Sequence, residues 1–348
     1  MKYRECGASG LKLPVLGIGC WAFGGGDFWG AQKQTDVNEV VGRAIEVGCT
    51  YFDTAEVYND GESEKSLGIA LRGKREQAII GTKVSPHHTE PAALRKACDD
   101  SLKRLGTDHI DLYMVHWPIH SHSLAHYTDD RALLDHPPET LRAFETLDGL
   151  KKAGKIRHYG VSNFGVAQLN ELHEAGFKPA VNELCYNLVS RAIELEILSL
   201  CKGRHIGIIG YMPLMQGLLT GKYKTLEDIP WQRTRTRHFS GSRHGSRHGE
   251  DGVELYLQTA LQGLVDLAKE LDEPLSRLAI AWSMENPAVT CTISGVRNIN
   301  QLAENIRATH LGIGPGIMEQ LNTITEPIKV AMGTSPDYHE SSENPRTW

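Results

Sequence analysis

The apolar positions along the chain fall into two alternating kinds of run. Short, nearly continuous stretches read as strands buried on both faces: 16–20, 50–54, 78–83, 110–116, 158–163, 180–186, 207–212 and 289–294. Between them lie longer runs whose apolar residues recur at helical spacing, as at Val40, Val41, Ala44 and Ile45. The first of these helices is expected to start at Thr35, as its N-cap, and to stop at Gly48. Others are expected over 63–72, 91–105, 139–153, 166–175, around 193–201, 274–284 and 301–309. Strands alternating with helices predict a parallel sheet, and eight such units fit a closed (β/α)8 TIM barrel better than an open doubly wound sheet. An open sheet would carry a dinucleotide fingerprint after its first strand. The loop found there, Gly24-Gly-Gly-Asp-Phe-Trp-Gly30, lacks the G-x-G-x-x-G spacing and reads as a flexible aromatic lip.

Other segments stand outside the repeat. Residues 2–14, with a turn at Ala8-Ser9-Gly10, read as a small β-hairpin ahead of the barrel. A long loop from Trp117 to Pro138 follows the fourth strand and reads as a wall of the substrate pocket. Residues 223–252 are polar and carry Trp231-Gln-Arg-Thr-Arg-Thr-Arg-His238 and a tandem Ser-Arg-His-Gly. The tail, from about Gly333 to Trp348, is also polar and is expected to be irregular. Neither has the apolar spacing of core. The first reads either as a lid over the mouth or as a solvated basic loop, and the tail as a cover for its own barrel or for a neighbour's. The whole chain, 1–348, is expected to be one domain, with a barrel core at about 15–310.

Composition adds limits. With 348 residues, 40% of them hydrophobic, the chain can bury one large core. Its net charge of −6 shows no basic excess, so a nucleic-acid partner is not expected. The seven cysteines are dispersed without a C-x-x-C pair, as suits free thiols in a reducing compartment. No stretch has the length of a membrane span and the start lacks a signal-peptide core, so a cytoplasmic protein with no membrane association is expected. The oligomeric state is left open.

In such a barrel the active site lies where the strands end. The expected ends carry Asp53, Lys83, His116, Ser162-Asn163, Glu183 and Tyr211, with Tyr58 in the loop beyond Asp53. A phenol is a poor acid near neutral pH unless a neighbouring ammonium favours its ionised form, and Lys83 is placed to do that. Asp53 would hold Lys83 charged, and His116 would bond a carbonyl oxygen. This set passes a proton to or from a carbonyl or alcohol oxygen. It has no strong nucleophile, so a hydride from a cofactor would complete the reaction. His120-Ser-His122 lies close by, but no carboxylate pair accompanies it, and no metal site is expected.

At this point the chain resembles the aldo-keto reductases from about Lys2 to about Thr309. The resemblance rests on Phe52-Asp-Thr-Ala55 with Tyr58, Gly81-Thr-Lys83, Val115-His-Trp-Pro118 and Gly154-Lys-Ile-Arg-His-Tyr-Gly-Val-Ser-Asn-Phe164. It continues through Tyr186-Asn187, Tyr211-Met-Pro-Leu214, Gly217-Leu-Leu-Thr-Gly-Lys222 and Gly295-Val-Arg-Asn298 with Gln301, Glu304 and Asn305. It implies an NADP-dependent oxidoreductase whose catalytic tetrad is Asp53, Tyr58, Lys83 and His116, with Tyr58 the proton donor in reduction. It further implies that Ser162 and Asn163 hold the nicotinamide carboxamide and that Tyr211 stacks on its ring. Leu214, Gln216, Gly217, Leu218 and Lys222 would follow the pyrophosphate, and Arg297, Gln301 and Asn305 would meet the adenosine end. A guanidinium fork at Arg297 suits a 2′-phosphate, which favours NADP over NAD. Glu183 stands where the family usually has Gln against the carboxamide. It is either a tolerated isostere or a carboxylate that favours the oxidised cofactor. Trp21, Trp29, Trp117 and Trp231 are the expected substrate contacts, and the polar walls point to a sugar, cyclitol or other polyol carbonyl as the small-molecule partner. Two rivals remain: a Schiff-base aldolase using Lys83, and a cofactor-sensing regulatory subunit of the same fold.

Overall fold

The computed structural model describes residues 1–347; Trp348, the end of the expected tail, lies outside the described residues. Strands β1 (Tyr3–Glu5) and β2 (Lys12–Pro14) form the antiparallel hairpin expected at the start. The next eight strands are β3 (Leu16–Gly19), β4 (Tyr51–Asp53), β5 (Ile79–Val84), β6 (Ile110–Val115), β7 (Ile156–Ser162), β8 (Val181–Cys185), β9 (Gly207–Tyr211) and β10 (Cys291–Gly295). They close a barrel in sequence order, with β10 pairing in parallel to β3. Around it run α1 (Gln34–Glu46), α2 (Glu62–Ala70), α3 (Pro91–Leu105), α4 (Ser121–Leu124), α5 (Arg131–Asp135), α6 (Thr140–Lys152) and α7 (Val166–Glu174). The helices α8 (Ile197–Gly203), α9 (Glu254–Glu270), α10 (Leu275–Glu285), α11 (Ile299–Ala308) and α12 (Pro315–Met332) complete the order. None of the described helices is long and apolar enough to cross a membrane.

Side chains alternate across each strand, so residues two apart share a face. One face of the strands packs outward on the helices; the other fills the barrel with Tyr51, Leu112, Met114, Val181, Ile209, Cys291 and Ile293. The hairpin adds Cys6, Leu11 and Leu13 to that inner cluster, so it plugs the end of the barrel opposite the strand C-termini. The inner rows that begin with these apolar residues end at the mouth: Tyr51 leads to Asp53, Met114 to His116 and Ile209 to Tyr211. Tyr51 is a large ring for a narrow barrel, and glycines make room for it. A Cβ at Gly81 would lie 2.3 Å from the Tyr51 hydroxyl, and one at Gly17 would lie 2.7 Å from the ring. The Tyr51 hydroxyl then donates to Asp53 Oδ2 at 3.3 Å.

Several expectations are corrected. Helix α1 is capped by Lys33 without a side-chain bond rather than by Thr35, whose hydroxyl lies 3.4 Å from Asp36 Oδ1. The 117–138 loop carries the short helices α4 and α5. Helices α9 and α12 were not expected. The buried residues of α9 (Leu257, Ala260, Leu264, Leu267 and Ala268) do have helical spacing, in a stretch that begins directly after the polar loop.

The largest correction concerns the polar loop and the tail, which are buried against each other despite lacking an apolar pattern. Arg237, His238 and Phe239 are 3%, 0% and 0% exposed, and Asp337, Tyr338 and Arg346 are 0%, 2% and 4% exposed. Ion pairs and rings take the place of aliphatic packing. Arg237 donates to Glu250 at 2.8 Å and to the Met332 carbonyl at 3.1 Å, and Tyr338 stacks on His238 at 5.1 Å. Arg346 grips Asp337 through two bonds of 2.8 Å. The tail lies over its own barrel, since the Arg346 guanidinium sits 3.7 Å above the ring of Trp117, the residue after His116.

Candidate active site

The register of the barrel brings Asp53 opposite Gly81 on β5 and Ser162 opposite Glu183 on β8, so the polar ends of the strands meet in one layer. Lys83 is the centre of that layer. Its Nζ lies 2.6 Å from Asp53 Oδ1, 3.2 Å from Glu183 Oε1 and 3.5 Å from the Tyr58 hydroxyl, and it also donates to the Thr54 carbonyl. Lys83 is fully buried, and Asp53 and Glu183 are each 2% exposed. Burial alone would lower the Lys83 ammonium, but Asp53, Glu183 and Tyr58 outweigh it and hold the group well above the usual lysine range. Burial, and then the neighbouring Asp53, push the Glu183 carboxyl well above the usual carboxylate range, with Lys83 pulling the other way. Two carboxyls sharing one ammonium cannot both ionise cheaply, and Glu183 is the one pushed toward its protonated form.

The Tyr58 ring is T-shaped to His116 at 5.6 Å and 5.8 Å from Trp21. Burial raises the Tyr58 phenol above its ordinary value; Lys83 opposes this without overcoming it. That differs from the expectation of a net acidified phenol, and it leaves Tyr58 protonated. Burial also holds His116 well below the usual imidazole range, helped by Lys83 and Arg346, so the ring is neutral. Its Nδ1 has no hydrogen-bond partner among the described residues. A protonated phenol and a neutral imidazole with a free polar edge, beside an ammonium, can bind and protonate one carbonyl oxygen.

Asn163, in a left-handed conformation at φ 62°, ties the next strands together. Its amide donates to the His116 carbonyl at 3.1 Å and to Ser162 Oγ at 3.0 Å, and its carbonyl oxygen accepts from the Tyr211 hydroxyl at 2.7 Å. Ser162 donates to the Glu183 carbonyl at 3.1 Å. Beyond Tyr211 the backbone is tightly wound, with Met212, Met215, Gln216 and Gly217 all at positive φ. At Gly217 a Cβ would lie 3.2 Å from both Lys222 Nζ and Arg233 Nη1, so two cations converge above bare backbone. Leu214 and Leu218 flank this turn, Leu218 buried and Leu214 partly so. At the far edge, Arg297 donates to the Ala31 carbonyl at 2.7 Å and to Gln32 Oε1 at 3.1 Å, which closes the glycine-rich lip over it. Gln301 accepts from the Arg297 backbone at 2.8 Å, and Asn305 donates to Ser294 at 3.0 Å.

A family model described as the Aldo/keto reductase family matches residues 15–326 of this chain. The chain belongs to the aldo/keto reductase family. It is 30% identical over 337 residues to the aldo-keto reductase YhdN of Bacillus subtilis, covering 94% of each chain. It is 38% identical over 208 residues to the methylglyoxal reductase YeaE of Escherichia coli, covering 59% of this chain and 66% of that one. Among solved structures it is similar to an aldo/keto reductase from Klebsiella pneumoniae in complex with NADP and acetate. That match has a TM-score of 0.68 and 25% identity, and covers 93% of this chain and 96% of the other.

Within this aldo/keto reductase the expected substrate tryptophans divide. Trp21 stacks on Phe28 at 5.1 Å and meets Trp29 edge-on at 5.3 Å, so the lip presents three rings beside Tyr58. Trp117 lies beneath Arg346. Trp231 is 47% exposed and packs on His244 at 4.5 Å within its own loop, and among the described residues no ring contact joins it to Tyr58 or His116. Sequence reasoning did not single out Arg233, Arg346 or Tyr127, although Arg233 lies in the stretch read as a lid or a solvated loop and Tyr127 in the loop read as a pocket wall. The Tyr127 ring faces His116 at 6.4 Å. Arg233 and Arg346 sat in segments read as polar and outside the core, and only their partners mark them as part of the site.

Proposed function

We propose that this protein is an NADP-dependent reductase of small, oxygen-rich aldehydes or ketones. The observation that carries the reading is Lys83, buried between Asp53 and Glu183 and 3.5 Å from a protonated Tyr58. In reduction Tyr58 gives its proton to the carbonyl oxygen, and Lys83 stabilises the phenolate left behind. Neutral His116 holds the same oxygen. A nicotinamide cofactor, when bound, would supply the hydride, or take one up in the reverse direction. The residues suit such a cofactor: Glu183 Oε2 is buried without a hydrogen-bond partner among the described residues, and Lys222 and Arg233 converge over the bare Gly217 backbone where a pyrophosphate would lie. Arg297 supports the choice of NADP through its guanidinium fork. The walls, built by Trp21, Trp29, Trp117, Tyr127 and Arg346, combine ring faces with a cation, which suits a short hydroxylated substrate such as a sugar or polyol carbonyl better than a large apolar one.

The Schiff-base alternative needs a neutral lysine. Lys83 is held charged by Asp53 against the opposing effect of burial, which argues against it. A purely cofactor-sensing role is opposed by the complete proton-transfer set. The test is NADPH binding by fluorescence, together with turnover of small aldehydes, for wild type and Tyr58→Phe. The expected result is unchanged NADPH affinity with turnover lost by at least about a hundredfold, as for removal of a general acid. Full turnover in the variant would overturn the role given to Tyr58, and absence of NADPH binding would overturn the whole reading.

A further inference from the structure

We propose that His122, His126 and Glu340 form a site for a divalent transition metal, zinc by preference, that staples the C-terminal tail to the loop beside the catalytic mouth. His122 and His126 are four residues apart on the turn that begins as α4. That turn runs on helically through the bonds from Ala125 N–H to Ser121 and from Thr128 N–H to Leu124, so both rings share a face. Their centroids lie 5.7 Å apart. Asp129 and Asp130 follow His126 in the sequence but lie outside this cluster; the carboxylate comes from the tail, more than two hundred residues away.

The donor atoms are nearly in place. His126 Nε2 lies 3.4 Å from Glu340 Oε1, His122 Nε2 lies 3.9 Å from Glu340 Oε2, and one atom from each of the three residues falls within 4.8 Å of the others. Tetrahedral zinc with ligands at about 2.0–2.2 Å would set neighbouring donors roughly 3.3–3.6 Å apart, so closing the site needs a contraction of up to about 1.5 Å. His122 Nε2 is shielded from solvent and has no hydrogen-bond partner among the described residues, a buried imidazole nitrogen that a metal would satisfy. Two imidazoles and one carboxylate with an open fourth position are a donor set that suits zinc.

Arg247 holds Glu340 Oε1 at 2.6 Å in the structure and competes for it. Its side chain is 46% exposed and can turn into solvent when a metal arrives. The other nearby cation, Arg346, is already paired with Asp337. Glu340, at 6% exposure, lies in the same tail segment that places Arg346 on Trp117, so a metal here would fix the cover of the mouth.

The test uses the full chain freed of metal with a chelator and titrated with Co2+, read by its visible d–d absorption, and then with Zn2+ in competition. The comparison set is wild type, His122→Ala, His126→Ala, Glu340→Gln and Arg247→Met, with circular dichroism to confirm that each variant is folded. The expected result is one ion per wild-type chain, binding weakened at least about tenfold in each ligand variant, and tighter binding in Arg247→Met. Absence of a Co2+ spectrum in wild type, or a spectrum that survives all three ligand substitutions, would overturn the site. Limited proteolysis of the tail reads the staple itself: Zn2+ should slow cleavage in wild type and not in His126→Ala. Equal cleavage with and without Zn2+ in wild type would overturn the staple. Neither readout involves turnover, so both stand or fall apart from the reductase reading.

Discussion

Lys83 has two carboxyls within reach, and this makes the stability of the active-site layer testable without any substrate. At an effective dielectric constant of about 20, unit charges at 2.6 and 3.2 Å attract by roughly 6 and 5 kcal/mol before desolvation is counted, so Asp53 and Glu183 are nearly equivalent partners. Burial, and then repulsion from the neighbouring Asp53, push Glu183 toward its protonated form. Replacing Asp53 by Asn removes that repulsion, and Glu183 then ionises and takes over as counter-ion. Replacing Glu183 by Gln leaves the Asp53 pair intact. Each single change is therefore expected to cost only about 1 kcal/mol, the scale of one hydrogen bond. The double variant leaves an ammonium buried with no carboxylate, at about 4–5 kcal/mol, an excess of roughly 2–3 kcal/mol over the sum. Urea unfolding of the four proteins at neutral pH, with midpoint and slope fitted separately, measures that excess. Additivity to within about 0.5 kcal/mol would refute the shared-ammonium account. The same Glu183→Gln protein bears on the cofactor: with Glu183 pushed toward its neutral form, its ratio of NADP to NADPH affinity should not move. A shift toward NADPH would show that the carboxylate form is populated.

Other expectations follow from particular contacts. Gly81→Ala drives a Cβ into the Tyr51 hydroxyl and should cost about 1–3 kcal/mol by overpacking, read by thermal unfolding, while Gly81→Ala combined with Tyr51→Phe should recover part of it. Arg233→Ala should weaken NADPH binding at least severalfold without changing its fluorescence maximum, and unchanged affinity would remove Arg233 from the pyrophosphate cradle. His238 is fully buried, and burial lowers it to about 4 from an ordinary value near 6.5. Between those values the unfolded chain binds the proton and the folded chain does not, so the contribution is complete above about 6.5 and is lost as pH falls toward about 4. It amounts to at most about 3 kcal/mol, and His238→Gln should flatten the fall of melting temperature between pH 7 and 5.

How much of this was legible in the sequence depended on what held each part together. The barrel was legible because its strands and helices bury apolar side chains at fixed periods, and the boundaries of α3 agree with expectation at both ends. The meeting of the proposed catalytic residues was legible because inward rows of apolar residues run directly into Asp53, Lys83 and His116, so position on a strand and chemistry pointed the same way. Glu183 was seen as a departure from the family, but its partner was not. Its pairing with Lys83 depends on the closure of strands far apart in sequence. The burial of the 223–252 loop and the tail was missed for a related reason, although a tail over its own barrel was among the expectations. Burial there is secured by Arg237 with Glu250 and Arg346 with Asp337, and ion pairing leaves no periodic trace in a sequence.

The tail also sets an order of events in the life of the chain. Its anchors, Arg346 on Trp117 and Tyr338 against His238, join the last segment to surfaces that exist only after the barrel has closed and the 223–252 loop has folded onto it. Contacts of such long sequence separation form late, because the entropy of closing a loop of more than two hundred residues is recovered only when both faces are ready. During synthesis the tetrad can therefore assemble while the tail is still being made, and the covered mouth is the last feature to mature. A molecule caught in that interval has its proton-transfer groups in place beneath an open roof.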